Sequence, residues 1–207
     1  MKKILNFNIR EITLIGIFGA VAALLMYLKF PLPLMPPFME FDFSSVLELI
    51  GTFIMGPVAG AFIVIIKILI KLLLQGTSTM FVGELSNIIV SIAYVVPAGI
   101  IYKKMLNKKG AILGMLAGTI LSTLMAALSN YFLILPLYAN LFGMGMDDIV
   151  GMVTVVNPAV NSPFTLFLVG IIPFNIIKGG ICAVVTFLIY KKIRATIENY
   201  AYKAKKC

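Results

Sequence analysis

Residues 164–193 have the sequence FTLFLVGIIPFNIIKGGICAVVTFLIYKKI, in which Lys178 is the only charged side chain before Lys191 and Lys192. A helix needs about 20 mostly apolar residues to cross a hydrocarbon layer about 30 Å thick, so this stretch is long enough to span a membrane. The whole 207-residue chain is 61% apolar and only 12% charged, against roughly half and a quarter in soluble domains. These values exclude an ordinary water-soluble globule and leave room for about six spans.

The basic residues are grouped in three short clusters. A net charge of +9 in a soluble protein would indicate nucleic acid as the partner. Here 13 of the 17 Lys and Arg residues instead flank apolar runs, as cytoplasmic segments do under the positive-inside rule. The clusters are Lys2, Lys3 and Arg10; Lys103, Lys104, Lys108 and Lys109; and Lys191, Lys192, Arg194, Lys203, Lys205 and Lys206. Both termini are therefore predicted to be cytoplasmic, with the lipid bilayer and no nucleic acid as partner.

Breaks between apolar runs set the number of spans. Pro31-Leu32-Pro33, Gly56-Pro57 and Gly76-Thr77-Ser78 interrupt the first half, and a polar stretch at about 136–163 interrupts the second. Because crossings between cytoplasmic clusters must be even in number, residues 1–207 are predicted to form one all-α integral membrane domain with six transmembrane helices. The predicted helices are about 11–30, 44–57, 59–75, 81–105, 110–138 and 164–193. The predicted outward loops are 31–43, 76–80 and 139–163.

Two charged residues inside spans are predicted to neutralise each other. The second and third helices form a hairpin about Pro57-Val58, and Glu48 lies as far before this turn as Lys67 lies after it. Since unpaired charges are costly in a membrane, the pair is predicted to be a structural salt bridge. Lys71 is close enough to the outer helix end for its ammonium group to snorkel to the interface.

Polar residues of the other helices are concentrated in the outer half of the membrane, and they predict an outward-facing ligand pocket. They are Glu84 and Asn87, Asn130, and Asn175 with Lys178. Interhelical hydrogen bonds would explain any single Asn, but the set as a whole favours a ligand site. Amides offer both a donor and an acceptor, which suits imide and pyrimidine-type edges, and Lys178 adds a donor for a carbonyl group.

The usual signatures of catalysis are missing from the sequence. There is no histidine, no phosphate-binding G-x-x-x-x-G-K-[ST] loop, no G-x-S-x-G elbow and no H-E-x-x-H helix. Cys182 lies in an apolar run and Cys207 is the last residue, so neither a disulfide framework nor a metal site is predicted. We therefore expect no catalytic residues, no metal and no cofactor, and a binding subunit that needs a powered partner.

The first helix carries a strip of small residues that would let another helix approach closely. Gly16 is followed by Ala20 and Gly19 by Ala23, each at helical spacing. Gly and Ala are common in membrane spans, so the spacing alone leaves open whether the strip binds a partner or packs inside the subunit.

Five segments, taken together and in order, resemble the riboflavin-specific S-components of energy-coupling factor (ECF) vitamin transporters. The segments are FMEFDFS at 38–44, GPVAG at 56–60, GELSN at 83–87, NYF at 130–132 with LPLY at 135–138, and PFNIIKG at 173–179. The resemblance extends from about residue 10 to residue 194. It implies a six-helix subunit of a prokaryotic plasma membrane that captures riboflavin from outside as cargo and docks on a transmembrane coupling subunit with two cytoplasmic ATPases.

The resemblance also implies roles for individual residues. Asn130, Asn175 and Lys178 match the flavin contacts of the family, and Glu84 with Asn87 matches a family motif. Met39, Glu40, Phe41 and Asp42 of the first loop are expected to act through their backbone or by closing the pocket. The family's docking signature, A-x-x-x-A, has Gly in place of the first Ala here, so both small-residue pairs stay candidates. The alternatives are an S-component for another heteroaromatic compound, a membrane enzyme using Glu84 and Lys178, or an autonomous transporter.

Overall fold

A computed structural model describes residues 7–36 and 38–206; Lys2, Lys3 and Cys207 lie outside these ranges. The described chain is almost entirely helical. Its helices are α1 (Ile9–Tyr27), α2 (Ser44–Met55), α3 (Pro57–Gln75), α4 (Val82–Met105), α5 (Lys108–Phe142), α6 (Met146–Thr154) and α7 (163–206). Two short antiparallel strands, β1 (Phe30–Pro31) and β2 (Glu40–Phe41), pair within the connection from α1 to α2, which we call loop 1 (residues 28–43).

Within the described residues, five helices are long and apolar enough to cross a membrane: α1, α3, α4, α5 and the segment Pro163–Ile193 of α7. This confirms the prediction of a helical membrane protein. The span predicted at 44–57 corresponds to a shorter helix, α2, which has only 12 residues. At 1.5 Å per residue it extends about 18 Å, well short of a hydrocarbon layer about 30 Å thick.

The connection after α5 is more ordered than the predicted loop 139–163. Helix α5 continues to Phe142, and the segment Met146–Thr154 forms α6. The Asp148 carboxylate accepts a hydrogen bond from the Gly145 N–H at 2.7 Å, at the start of this helix. This end of the bundle, which also carries loop 1, is called the loop end; the opposite end, with the α4–α5 turn and its lysines, is called the basic end.

Close packing of α4 on α5 depends on two glycines. A Cβ atom at Gly114 would lie 2.7 Å from the Ala98 carbonyl oxygen, and one at Gly118 would lie 2.5 Å from the Tyr94 carbonyl oxygen. Small residues let the two backbones meet in this way, and membrane helices commonly use them for close approach. The contact brings one wall of the cavity described below into place.

Aromatic side chains fill the half of the bundle nearer the basic end. Phe53 of α2 packs on Tyr102 of α4 with ring centroids 4.5 Å apart. The hydroxyl oxygens of Tyr102 and Tyr190 lie 3.3 Å apart, and all three residues are buried. This aromatic cluster lies on the basic-end side of the cavity described below, which is nearer the loop end.

Candidate ligand-binding site

A cavity of about 160 Å³ lies in the loop-end half of the bundle, between loop 1 and helices α4, α5 and α7. A single water needs about 10–15 Å³ on the same measure, so the cavity can hold a ligand of many atoms. Its aromatic lining is Phe38, Tyr94, Tyr138 and Phe174, and its polar lining includes Glu40, Asn87, Ser91, Ser122, Asn130, Asn175 and Lys178. Apolar walls with a few placed polar groups are typical of small-molecule sites.

Asn130 and Asn175 present their amides to the cavity in the same orientation. Asn130 begins the π-helical turn Asn130–Ile134 of α5, and Asn175 follows the π-helical turn Leu166–Ile171 of α7; such turns often mark functional sites. Nδ2 of Asn130 donates to the Ala126 carbonyl at 2.7 Å, and Nδ2 of Asn175 donates to the Ile171 carbonyl at 2.8 Å. A carbonyl only accepts, so each side chain must turn its Oδ1 away from its own helix, and both residues line the cavity.

Lys178 joins α7 to loop 1 through Asp42. Its Nζ lies 2.7 Å from Oδ2 of Asp42, while Oδ1 of Asp42 accepts from the Ser44 N–H at 2.8 Å. Burial by itself raises the pKa of the Asp42 carboxyl. The charges of Lys178 and Lys67, together with hydrogen bonds from Lys178 and Ser44, outweigh burial and hold that pKa below its ordinary value. Lys178 therefore lines the cavity as an ammonium group, and its counter-ion is the Asp42 carboxylate, which is not part of the cavity lining.

Glu48 and Lys67 form a fully buried ion pair between α2 and α3, with Oε1 of Glu48 2.5 Å from Nζ of Lys67. The same ammonium group donates to Oδ1 of Asn87 at 2.8 Å and to the Ser44 hydroxyl at 3.2 Å. Asn87 lines the cavity, whereas Glu48 and Lys67 lie behind its wall. The ion pair thus contacts the site through an amide.

Lys71 does not snorkel to the interface as expected. It forms a salt bridge with Oε1 of Glu84, while Oε2 of Glu84 accepts from the hydroxyls of Thr77 and Thr79 at 3.1 Å each. Both carboxylate oxygens are therefore engaged in the connection between α3 and α4. Within the described ranges, Glu84 is not part of the cavity wall, unlike its neighbour Gly83.

The four residues expected from loop 1 divide into two pairs. Met39 and Glu40 line the cavity, and Glu40 also pairs with Lys29 just after α1. Phe41 is 1% exposed and contacts other aromatic rings rather than the cavity. Asp42 faces Lys178, so its carboxylate acts on the site through that ammonium group.

Several lining residues were not predicted, although their spacing was informative. Ser91 lies one turn after Asn87, and its hydroxyl donates to Oδ1 of Asn87 at 3.3 Å. Ser122 lies two turns before Asn130 on α5 and lines the same cavity. Residues at i and i+4 share a helix face, so extending the faces of the predicted residues by one or two turns would have found both.

The two small-residue pairs of α1 face different environments. Gly19 and Ala23 are buried, and a Cβ atom at Gly19 would lie 2.5 Å from Cγ2 of Ile66 in α3. The first pair is more open: Ala20 is half-buried, and a Cβ atom at Gly16 would meet nothing within 4 Å. Gly19 and Ala23 therefore pack inside the subunit, whereas Gly16 and Ala20 are more open.

Within the part of the chain whose side chains the structure describes, no group of three or more Cys, Asp or Glu residues is close enough together to hold a metal ion. The polar groups of the cavity include amides, hydroxyls, the Glu40 carboxylate, which pairs with Lys29, and the Lys178 ammonium group, which pairs with Asp42. Because both charges are paired, the set suits hydrogen bonding to a neutral organic molecule.

Comparison with known proteins places the chain in a family. The family model "ECF transporter, substrate-specific component" matches residues 10–190. This chain is one of the substrate-specific (S) components of ECF transporters. It is therefore a transporter component and not an enzyme.

Bacterial relatives match this S-component over nearly their full length. "Riboflavin transporter RibU" of Staphylococcus aureus is 36% identical over 90% of this chain and 90% of its own length. "Riboflavin transporter FmnP" of Bacillus subtilis is 32% identical over 93% of this chain and 96% of its own length. A solved structure described as "Structure and mechanism of the S component of a bacterial ECF transporter" superimposes with a TM-score of 0.70. It is 31% identical, over 90% of this chain and 96% of that one.

Proposed function

We propose that this S-component binds riboflavin in the cavity at the loop end and presents it for ATP-driven uptake. The observation that carries the proposal is the pairing of Asn130 and Asn175, whose amide oxygens are turned toward the cavity, with the Lys178 ammonium group. The isoalloxazine ring has an imide N–H between two carbonyls, so it needs acceptors beside a donor. The similarity to two proteins named riboflavin transporters supports the same ligand.

The remaining lining fits a flat aromatic ligand. Phe38 and Tyr138 lie at the loop end with ring centroids 6.4 Å apart, and Tyr94 and Phe174 lie deeper in the wall. Aromatic side chains bind a planar ring by stacking and edge contacts. Met39 and Glu40 of loop 1 are assigned to covering the ligand, whereas Asp42 supports Lys178.

We assign the loop end to the outside and the basic end to the cytoplasm. The charge distribution supports this orientation, because Lys103, Lys104, Lys108 and Lys109 flank the α4–α5 turn and cytoplasmic segments are enriched in basic residues. In this arrangement α2 is a short sixth crossing. Both termini are then cytoplasmic, in the plasma membrane of a prokaryote.

Energy for uptake is assigned to separate chains. The family implies a transmembrane coupling subunit with two cytoplasmic ATPases, and this chain has no phosphate-binding loop of its own. The face of α1 with Gly16 and Ala20 is the docking surface in this proposal, because both residues are only half-buried and a Cβ atom at Gly16 would meet nothing within 4 Å.

Competition and uptake measurements test the proposal. Riboflavin bound to the purified protein should resist displacement by thiamin, biotin or folate in excess, and displacement by one of these would favour an S-component for another vitamin. Vesicles with the S-component alone should not accumulate riboflavin, whereas vesicles that also contain the coupling subunit and ATPases should. Accumulation without those partners would contradict the proposal and favour an autonomous transporter.

A further inference from the structure

The ammonium group of Lys67 has three acceptor partners. Nζ donates to Oδ1 of Asn87 at 2.8 Å and to Oγ of Ser44 at 3.2 Å, and it forms an ion pair with Oε1 of Glu48 at 2.5 Å. An ammonium group has three N–H donors and no acceptor, so only the oxygen of the Asn87 amide can face it. Lys67 is also fully buried, which excludes water as a competing acceptor.

This arrangement determines which way the Asn87 amide points. Its Oδ1 accepts from Lys67 and also from the Ser91 hydroxyl at 3.3 Å, which occupies both lone pairs. A flipped amide would place its NH₂ group against an ammonium group, donor against donor. Oδ1 of Asn87 is therefore unavailable to a ligand.

The NH₂ group of Asn87 is left for the cavity. Asn87 is only half-buried and lines the cavity. No partner for its Nδ2 is found in residues 7–36 and 38–206, and Nδ2 is not among the polar atoms sealed in the interior there. Asn130 and Asn175 are oriented the other way, because one N–H of each amide bonds to its own helix and Oδ1 is turned away from that helix.

We propose that Asn87 is a donor-only contact for the transported ligand, and that Lys67, held by Glu48, is the positioning residue that sets this polarity. The proposal rests on the proposed function and extends it to the pattern of donors and acceptors that the ligand must match. A ligand must place an acceptor, such as a ring nitrogen, carbonyl or hydroxyl oxygen, toward α4. It must place donors toward the Oδ1 atoms of Asn130 and Asn175.

The first test changes the polarity of one group. In the purified full chain, Asn87→Asp replaces the NH₂ group with an oxygen of the same size, and Asn87→Ala removes the amide. We expect the Kd for riboflavin to rise at least about tenfold in both variants, since a buried hydrogen bond is lost or opposed. Asn107→Asp is the matched control, because Asn107 caps α5 at the basic end and Asp caps a helix equally well.

The second test removes the positioning group. The double variant Glu48→Leu/Lys67→Met replaces the buried ion pair with apolar side chains of similar size, which membrane and soluble interiors tolerate. We expect its Kd to rise at least about threefold. In this background Asn87→Ala should raise the Kd by a smaller factor than it does in the wild type. Without Lys67, the Asn87 amide is not held in one orientation, so its NH₂ group no longer points reliably at the ligand.

The outcomes separate this inference from the proposed function. A wild-type protein that does not bind riboflavin overturns both. Wild-type binding with an unchanged Kd in Asn87→Asp or Asn87→Ala overturns only the donor contact. An effect of Asn87→Ala that is equal in the two backgrounds overturns the role of Lys67. Thermal unfolding and gel filtration identify variants that are not folded, and the two Asn87 variants decide the proposal if the double variant is among them.

Discussion

Replacing Lys178 with methionine should lower the stability of the protein and weaken ligand binding, and the two effects have different causes. The side chain of Lys178 is 17% exposed and that of Asp42 is 3% exposed, so Lys178→Met leaves a buried carboxylate that keeps only the hydrogen bond from the Ser44 N–H. Removing one partner of a buried ion pair costs about 3–5 kcal/mol of stability, because the other charge is left uncompensated.

The loss of binding has a different origin. A hydrogen bond from a charged donor contributes about 1.5–3 kcal/mol, and about 1.4 kcal/mol corresponds to a tenfold change in Kd. Lys178→Met should therefore raise the Kd for riboflavin by about one to two powers of ten. The double variant Asp42→Asn/Lys178→Met removes both charges, so it should regain most of the lost stability but none of the lost affinity.

Two assays on the same purified samples separate these effects. Thermal unfolding in detergent reports stability, and quenching of riboflavin fluorescence reports Kd. Lys103→Met, an exposed lysine at the basic end, is the matched control and should change neither. Wild-type affinity in Lys178→Met, or recovered affinity in the double variant, would refute the role of the ammonium group as a ligand donor.

Three further perturbations follow from the packing and the charges. Gly118→Val should destabilise the protein by about 1–3 kcal/mol or more, because its Cβ would lie 2.5 Å from the Tyr94 carbonyl oxygen; Gly180→Val, where space is open, should be milder in thermal unfolding. Gly16→Trp should abolish uptake in vesicles with the coupling subunit but leave the Kd for riboflavin unchanged, and a changed Kd would contradict docking by this face. Riboflavin affinity should stay constant from about pH 8 to pH 5. Because the pKa of Asp42 is lowered, its carboxylate stays ionised and paired with Lys178 over this range. Its contribution to stability is intact above the unfolded pKa of about 3.9 and is lost as the pH falls through the folded pKa. A weaker Kd at pH 5 would indicate that Asp42 titrates higher.

The spans and the polar residues of the cavity were predictable because each depends on local sequence. Apolar runs and basic clusters locate helices such as α4 and α7 without knowledge of their neighbours. An Asn or Lys inside a span stands out in the same way, since it is costly there. Asn130, Asn175 and Lys178 were found on this basis, and all three line the cavity.

Features that depend on how the helices face each other were not predictable. Lys71 pairs with Glu84 rather than with water because α3 and α4 meet at that depth, which no spacing in the sequence reveals. Gly19 and Gly16 belong to equivalent patterns, yet only Gly19 faces α3. The orientation of the Asn87 amide likewise follows from Lys67, 20 residues away in the chain.

The most direct test of the central claim is a titration of riboflavin into the purified, ligand-free protein, followed by the loss of flavin fluorescence. The account predicts saturable quenching at one riboflavin per chain. It also predicts that Asn130→Ala weakens the binding and that Asn140→Ala, at an exposed position of α5, leaves it unchanged. Fluorescence that falls by no more than in a protein-free control would contradict the assignment of this cavity to riboflavin.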